Sequence, residues 1–152
     1  MLYNCYKLGE KMSNNDTFIQ KLRSSDLRPT RQRIQICRVL FDRDTTFHFT
    51  INDLAKILMS RLSKKISLAT IYNTLKQFTK LGLIREIVVD QNKSLYCNNN
   101  QSHYHLYIED EGKVIDIPTK NIDLDIPSIP ACLQLHDIDV IVRIRTLKEK
   151  KS

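Results

Sequence analysis

Apolar positions recur along the chain in two periods, and the change from one to the other divides it. From Phe18 to Phe78 they return every three or four residues, as on helices with one buried face. Phe18, Ile19 and Leu22 set out a short helix that the Ser24-Ser25-Asp26 cluster closes. Pro29 stands just ahead of the next helix. Thr30 is its expected N-cap, and Ile34, Cys37, Leu40 and Phe41 are its apolar stripe. Thr50 and Asp53 have the spacing of a capping box, opening a helix with Leu54, Ile57, Leu58 and Leu62 inward. Ser67 caps another, striped by Leu68, Ile71, Leu75 and Phe78 and stopped at Leu81-Gly82.

After Gly82 the period falls to two. Ile84–Val89 and Ser94–Cys97 read as strands joined by about four residues, Asp90 to Lys93, which predicts a hairpin. Long helices followed by a hairpin are the order of a winged helix, whose last helix enters the major groove. Beyond a polar linker, Tyr104–Glu109 and Val114–Pro118 form a second expected pair around 110–113. Pro118, Pro127 and Pro130 argue against a long helix between them. Alternation at Ile138, Val140, Val142 and Ile144 predicts a final strand over Leu133–Arg145. Three strands bury little alone, so this part is expected to pair with a copy of itself. The expected fold class is α+β. A flexible extension (1–15) precedes an N-terminal winged helix-turn-helix DNA-binding domain (16–98) and a small α/β dimerisation and sensory domain (99–152). Met12 is as good a start as Met1.

The 152 residues, 41% hydrophobic and 27% charged, suit one or two small soluble domains. No apolar run reaches the roughly 18 residues of a membrane span, and the start lacks a secretory core, so the expected location is cytoplasmic. Cys5, Cys37, Cys97 and Cys132 lie far apart with no Cys-x-x-Cys pair, as buried thiols would. That spacing also excludes an all-cysteine zinc site. Charge divides where the period does. Residues 1–100 hold 17 Lys+Arg against 8 Asp+Glu, and residues 101–152 hold 7 against 9. A basic first part points to a polyanion partner.

With its stripe turned inward, the helix after Ser67 presents Thr70, Tyr72, Asn73, Lys76, Gln77 and Lys80 outward: hydroxyls, amides and cations with no acid. Those groups read base edges and phosphates in duplex DNA. Arg28, Arg31 and Arg33 cluster ahead of an earlier helix, which suits backbone clamping or a minor-groove reach. His103 and His105, two apart on a strand, share one face at about 7 Å spacing, with Tyr104 on the other. Beside Asp116 they are either a metal pair or two surface histidines, and the residues alone leave both open. Glycine occurs three times, and neither a phosphate-cradling loop, a His-Glu-x-x-His nor a nucleophile elbow is present, so no enzyme is expected.

Leu27-Arg28-Pro29-Thr30-Arg31-Gln32-Arg33, Ser67 to Leu75 (SLATIYNTL) and His103-Tyr104-His105-Leu106 followed by Gly112 to Asp116 resemble the ferric uptake regulator family over about residues 16–145. The runs from His103 to Pro118 and from Asp139 to Arg145 look most like its iron response regulator branch. The resemblance implies a homodimeric regulator of iron homeostasis and haem synthesis genes, bound to an AT-rich, roughly palindromic operator and touching no membrane. A haem-synthesis enzyme is a further implied partner. By position it implies DNA contacts from Arg28, Arg31, Arg33, Ser67, Thr70, Tyr72, Asn73, Lys76 and Gln77. It implies a sensory site for Fe²⁺, Mn²⁺ or Zn²⁺ at His48, Cys97, His105 and Asp116. Cys97 stands where relatives have a carboxylate, and a thiolate tilts the site toward softer ions such as Zn²⁺. Ile108 and Glu111 replace the Cys-x-x-Cys of typical members, so their structural zinc, held by four cysteines, is not expected. Haem is a second implied ligand, at His103, Tyr104 and His105. Tyr104 replaces the middle histidine of that branch's triple, a change that tyrosinate ligation tolerates. The branch's N-terminal Cys-Pro motif is missing, since Tyr6 follows Cys5. The alternatives are a sibling sensing zinc, manganese or peroxide, and a metal- or haem-binding protein that has lost its operator.

Overall fold

The structure, a computed structural model, describes residues 14–147. Helix α1 (Asn14–Ser24) is followed by Asp26, whose φ of 56° turns the chain toward α2 (Arg31–Phe41). Asn14 and Asn15 are therefore helical although expected in the flexible extension. The rest of that extension, with Cys5 and Met12, lies outside the described residues. The short strand β1 (His48–Phe49) leads straight into α3 (Ile51–Arg61), and α4 (Leu68–Lys80) follows. Each expected cap forms. The Thr30 hydroxyl accepts from the Arg33 N–H at 3.3 Å, and that of Ser67 from Thr70 N–H at 3.1 Å. Thr50 and Asp53 complete a reciprocal capping box, satisfying two N–H groups that the helix leaves free. At the other end of α4 the Leu83 N–H reaches back to Phe78 O at 2.9 Å, a closure that needs Gly82 at its φ of 68°.

Helices α1 to α4 enclose a core of Leu22, Ile36, Leu40, Leu54, Ile71, Leu75 and Phe78. Two details depart from the expected stripes. In α2, Ile36 and Val39 are buried while Ile34 and Phe41 are only partly so, because α1 and α3 pack on α2 from two sides and widen its apolar arc. In α4, Leu68 is 56% exposed and Thr74 takes a buried place. As the first residue of its helix, Leu68 lies at the edge of the packing.

The wing is three-stranded, in the order β1-β3-β2, with β2 (Arg85–Asp90) and β3 (Lys93–Cys97) antiparallel. Its turn is the two residues Gln91 and Asn92, shorter than the expected linker, because Asp90 and Lys93 still pair. The second sheet has the order β5-β4-β6. Strand β4 (His103–Ile108) runs antiparallel to β5 (Lys113–Pro118) and parallel to β6 (Ile141–Ile144). The final strand is thus four residues long and does not reach back to Leu133, since β4 offers partners only from His105 to Ile108. Between Pro118 and β6 the helical structure is one 3₁₀ turn, Thr119–Asn121. Ile87, Val89, Leu95 and Cys97 of the wing pack on Tyr107 and Val114 of the second sheet, and this apolar contact joins the two. Lys93 Nζ adds a 3.0 Å hydrogen bond to the Tyr107 hydroxyl. Among the described residues no helix is long and apolar enough to cross a membrane.

Candidate metal centre and DNA-reading face

Sheet register brings together residues far apart in sequence. His48 lies opposite Cys97 across β1 and β3, and His105 opposite Asp116 across β4 and β5. Where the two sheets meet, one donor atom from each of these four converges to within 4.8 Å of the others. His103, on the same face of β4 as His105, completes the group. Its Nε2 is 2.9 Å from His105 Nε2, and 3.5 Å from both Cys97 Sγ and Asp116 Oδ1. At 5% and 4% exposure, His103 and His105 are not surface histidines. The resemblance places His103 only with haem. Its shared face with His105 is the sequence signal, independent of the resemblance, that allows the two as a metal pair.

The cluster is prepared to donate lone pairs. The Gln101 carbonyl, 2.6 Å from His103 Nδ1, can only accept, so Nδ1 carries the proton and Nε2 is left free. His48 Nε2 is buried, and the group it meets is Asp116 Oδ1 at 2.8 Å. A buried imidazole nitrogen converging with a carboxylate, a thiol and two more imidazoles fits a cation. Donors around a tetrahedral ion stand roughly 3.3–3.8 Å apart. Here His48 Nε2 and Cys97 Sγ stand 2.8 and 4.0 Å from Asp116 Oδ1, and the four donors all lie within 4.8 Å of one another.

Burial dominates the titration of the group. It lowers His48 against the opposing pull of Asp116, and it lowers His105, with help from His103 and His48, to about 4. Both rings are neutral near pH 7, so the contact between His48 and Asp116 is dipolar rather than an ion pair. Burial alone would raise the Asp116 carboxyl, but the Asn99 amide and the neighbouring histidines hold it below its ordinary value. The Cys97 thiol is pushed up to about 12, chiefly by burial, so its use as a ligand requires a cation to displace the proton. A pH dependence follows. His48 and His105 titrate lower in the folded than in the unfolded chain, so their contribution is complete above 6.5 and is lost as pH falls toward 4. The melting temperature of the metal-stripped protein is expected to be flat above pH 7 and to drop through that window. A flat profile down to pH 4 would contradict it.

Of the other cysteines, Cys37 is buried and its thiol is raised to about 12, whereas Cys132 is exposed, contrary to the expectation of buried thiols. It lies in the irregular stretch before β6, where nothing packs over it. Tyr104 is half-buried on the face of β4 opposite His103 and His105, so the three residues implied for haem do not converge on one side.

On α4, Tyr72, Asn73, Lys76 and Gln77 are exposed and Thr70 half-buried, with Tyr72 at 50%. Arg28 and Arg31 are exposed beside them. Two of the implied contacts bond to each other instead. Arg33 Nη2 donates to Gln77 Oε1 at 2.6 Å while Nη1 holds Arg28 O at 2.9 Å, tying the start of α2 to the outer face of α4. Sequence spacing gave no hint of this strut between residues 44 apart. Ser67 is likewise occupied, by its capping bond and a 2.8 Å contact with the Thr70 hydroxyl.

A profile of the ferric uptake regulator family matches residues 24–144. The chain is 32% identical over 105 residues to the peroxide-responsive repressor PerR of Staphylococcus epidermidis, an alignment covering 69% of this chain and 68% of that protein. It therefore spans about two thirds of that relative's length. In fold it is similar to the ferric uptake regulator of Vibrio cholerae, with a TM-score of 0.65 at 25% identity, covering 84% of this chain and 98% of that one. The ferric uptake regulator of Pseudomonas aeruginosa, solved with manganese, gives 0.63 at 23% identity, covering 90% and 100%, a likeness of fold alone.

Proposed function

The chain belongs to the ferric uptake regulator family, and on that premise we propose that it is a metal-dependent, homodimeric DNA-binding transcriptional regulator whose cognate ion is Zn²⁺. The observation that carries the choice of ion is the donor set. A buried thiol, a carboxylate and imidazoles with free nitrogens meet at one point, and the sulfur favours Zn²⁺ over Fe²⁺ or Mn²⁺. Bound there, the ion would supply the charge that displaces the thiol proton, and His48, Cys97, His105 and Asp116 would hold it.

The chain's own residues carry that link to the DNA. His48 lies two residues before Thr50, the cap of α3, and α3 packs on α4. Next to Cys97, Asn98 takes the Phe47 N–H at 2.7 Å and donates to the end of α2 at Leu40 O, 2.6 Å away. Fixing His48 and Cys97 against β4 and β5 therefore fixes the orientation of α4. Arg28 and Arg31 bind backbone phosphate in this reading, while Thr70, Tyr72, Asn73 and Lys76 face the bases of an AT-rich operator. Arg33 and Gln77 position α4. A second copy covers Leu124, Ile126, Ile129, Leu133 and Leu135, which are exposed in the described residues. The proposed units are a winged helix over 16–98 and a dimerisation and sensory unit over 99–152.

The test is fluorescence anisotropy of metal-stripped protein on AT-rich palindromic duplexes, with Zn²⁺, Mn²⁺, anaerobic Fe²⁺ and haem as separate arms. Zn²⁺ is expected to restore specific binding at the lowest free concentration. A preference for Fe²⁺ together with weakening by haem would transfer the assignment to the iron- and haem-responsive reading, with its haem-synthesis partner. Release of an Fe²⁺ or Mn²⁺ complex by peroxide would make the protein a peroxide sensor. Specific binding under no condition would leave a metal-binding protein without an operator.

A further inference from the structure

The loop from α3 to α4 carries two lysines, Lys64 and Lys65, that neither the metal centre nor the reading face uses. Leu62 and Ile66, at its two ends, pack against the helical core, so the segment between them is held outward. It lies against the first turn of α2, and the two enclose a cleft of about 440 Å³ lined by Thr30, Arg31, Gln35, Ser63, Lys64 and Lys65. No acidic residue lines this cleft. Arg31, Lys64 and Lys65 are all exposed, and among the described residues none of them makes an ion pair. Like charges gathered this way repel until an anion offsets them.

The position of the cleft says which anion. Lys65 comes two residues before Ser67, the cap of α4. Arg31 comes two residues before Arg33, whose guanidinium is bonded to Gln77 on the outer face of α4. The cleft thus opens beside the N-terminal end of the helix that enters the groove, where a duplex brings its sugar-phosphate strand. Phosphate contacts of this kind set register and supply sequence-independent affinity.

We propose that Arg31, Lys64 and Lys65 form a clamp on a DNA backbone phosphate flanking the groove read by α4, an inference that rests on the DNA-binding reading above. The clamp adds affinity and leaves base choice to α4. Its test compares the Zn²⁺-loaded full chain with the double variant Lys64→Gln/Lys65→Gln, titrated on a duplex selected with the wild type and on a scrambled duplex. The salt concentration is stepped from about 50 to 300 mM. Weakening the one phosphate neutralisation in each protomer of the homodimer is expected to make the slope of log K against log salt less negative, by up to about 1.8. Both duplexes should weaken by the same factor, so the specificity ratio holds. Lys64→Arg/Lys65→Arg is expected to restore the slope, which separates charge from any effect on folding. An unchanged slope in the glutamine variant, with wild type binding its duplex, would overturn the clamp and leave the DNA-binding reading intact. A wild type that binds no duplex with any metal would overturn both. If pyrophosphate raises the melting temperature of wild type but not of the variant, and the slope is unchanged, the cleft belongs to a free anion and the clamp falls.

Discussion

Replacing His105 by alanine is expected to abolish metal-dependent DNA binding while leaving the fold of the helical part in place. His105 faces Asp116 across the β4–β5 register and contributes a neutral imidazole to a buried cluster. Loss of an outer-shell partner already costs a metal site about 10–100-fold in affinity, so loss of a direct ligand is expected to cost more. The DNA consequence is bounded by the coupling between sites, which typically spans about 5–150-fold. The variant should therefore bind the operator with the affinity of stripped wild type, and added Zn²⁺ should not improve it. Calorimetry with Zn²⁺ and anisotropy on the operator read the two effects separately. A variant that still responds to Zn²⁺ would remove His105 from the ligands. Cys97→Asp is the companion change. It keeps an anionic donor at the end of β3 but removes the sulfur, so metal preference is expected to move from Zn²⁺ toward Mn²⁺ and Fe²⁺. An unchanged preference would show that the thiolate does not set ion choice.

The second large effect is expected from Tyr72→Ala. Tyr72 stands half-exposed on the outer face of α4 while Ile71, Thr74 and Leu75 beside it are buried. Truncating it removes nothing from the core, and stability is expected to stay within about 0.5 kcal/mol of wild type. Discrimination between operator and scrambled duplex should fall, since one good contact to a base is worth about 1–3 kcal/mol. Affinity for scrambled duplex should hardly change, because the cations around α4 remain. The ratio of the two affinities is the informative quantity. A variant with the wild-type ratio would show that α4 is not the element that reads the sequence.

The contrast between these sites and the clamp turns on how each side chain is held. Tyr72 and Lys76 are free at their tips. Arg33 is not, because both of its terminal guanidinium nitrogens, Nη1 and Nη2, are bonded within the protein. In the proposed reading, basic residues that look alike in sequence therefore divide into those whose tips can meet DNA and those that aim α4. Arg31 belongs to the first group, and Arg33, two residues on, to the second.

Much of the local architecture was legible in the chain because it depends on neighbours three or four residues apart. Thr30, Thr50 and Ser67 cap their helices with their own hydroxyls. Gly82 ends α4 because it takes a positive φ at little cost. The alternation of His103, Tyr104 and His105 needed only the two-residue period of a strand. The family could be read from short motifs for the same reason, since each is a local segment.

What the sequence could not determine by itself is everything set by pairing across distance. A two-residue strand such as His48–Phe49 exists only because β3 offers it partners at Tyr96 and Cys97. The span from Leu133 to Asp139 stays outside the sheet: its apolar phase breaks between Leu135 and Ile138, and Val140 is where the chain meets β4, its carbonyl accepting from His105 N–H. The bond between Arg33 and Gln77, and the loop holding Lys64 and Lys65 beside Arg31, depend on how α2, α3 and α4 pack. The candidate metal centre is the clearest case. Local periodicity set each ligand's face on its own strand, but only the packing of one sheet on the other brings His48, Cys97, His103, His105 and Asp116 to one point. That packing is driven by burial of Ile87, Val89 and Leu95 against Tyr107 and Val114, and burial is a property of the assembled chain.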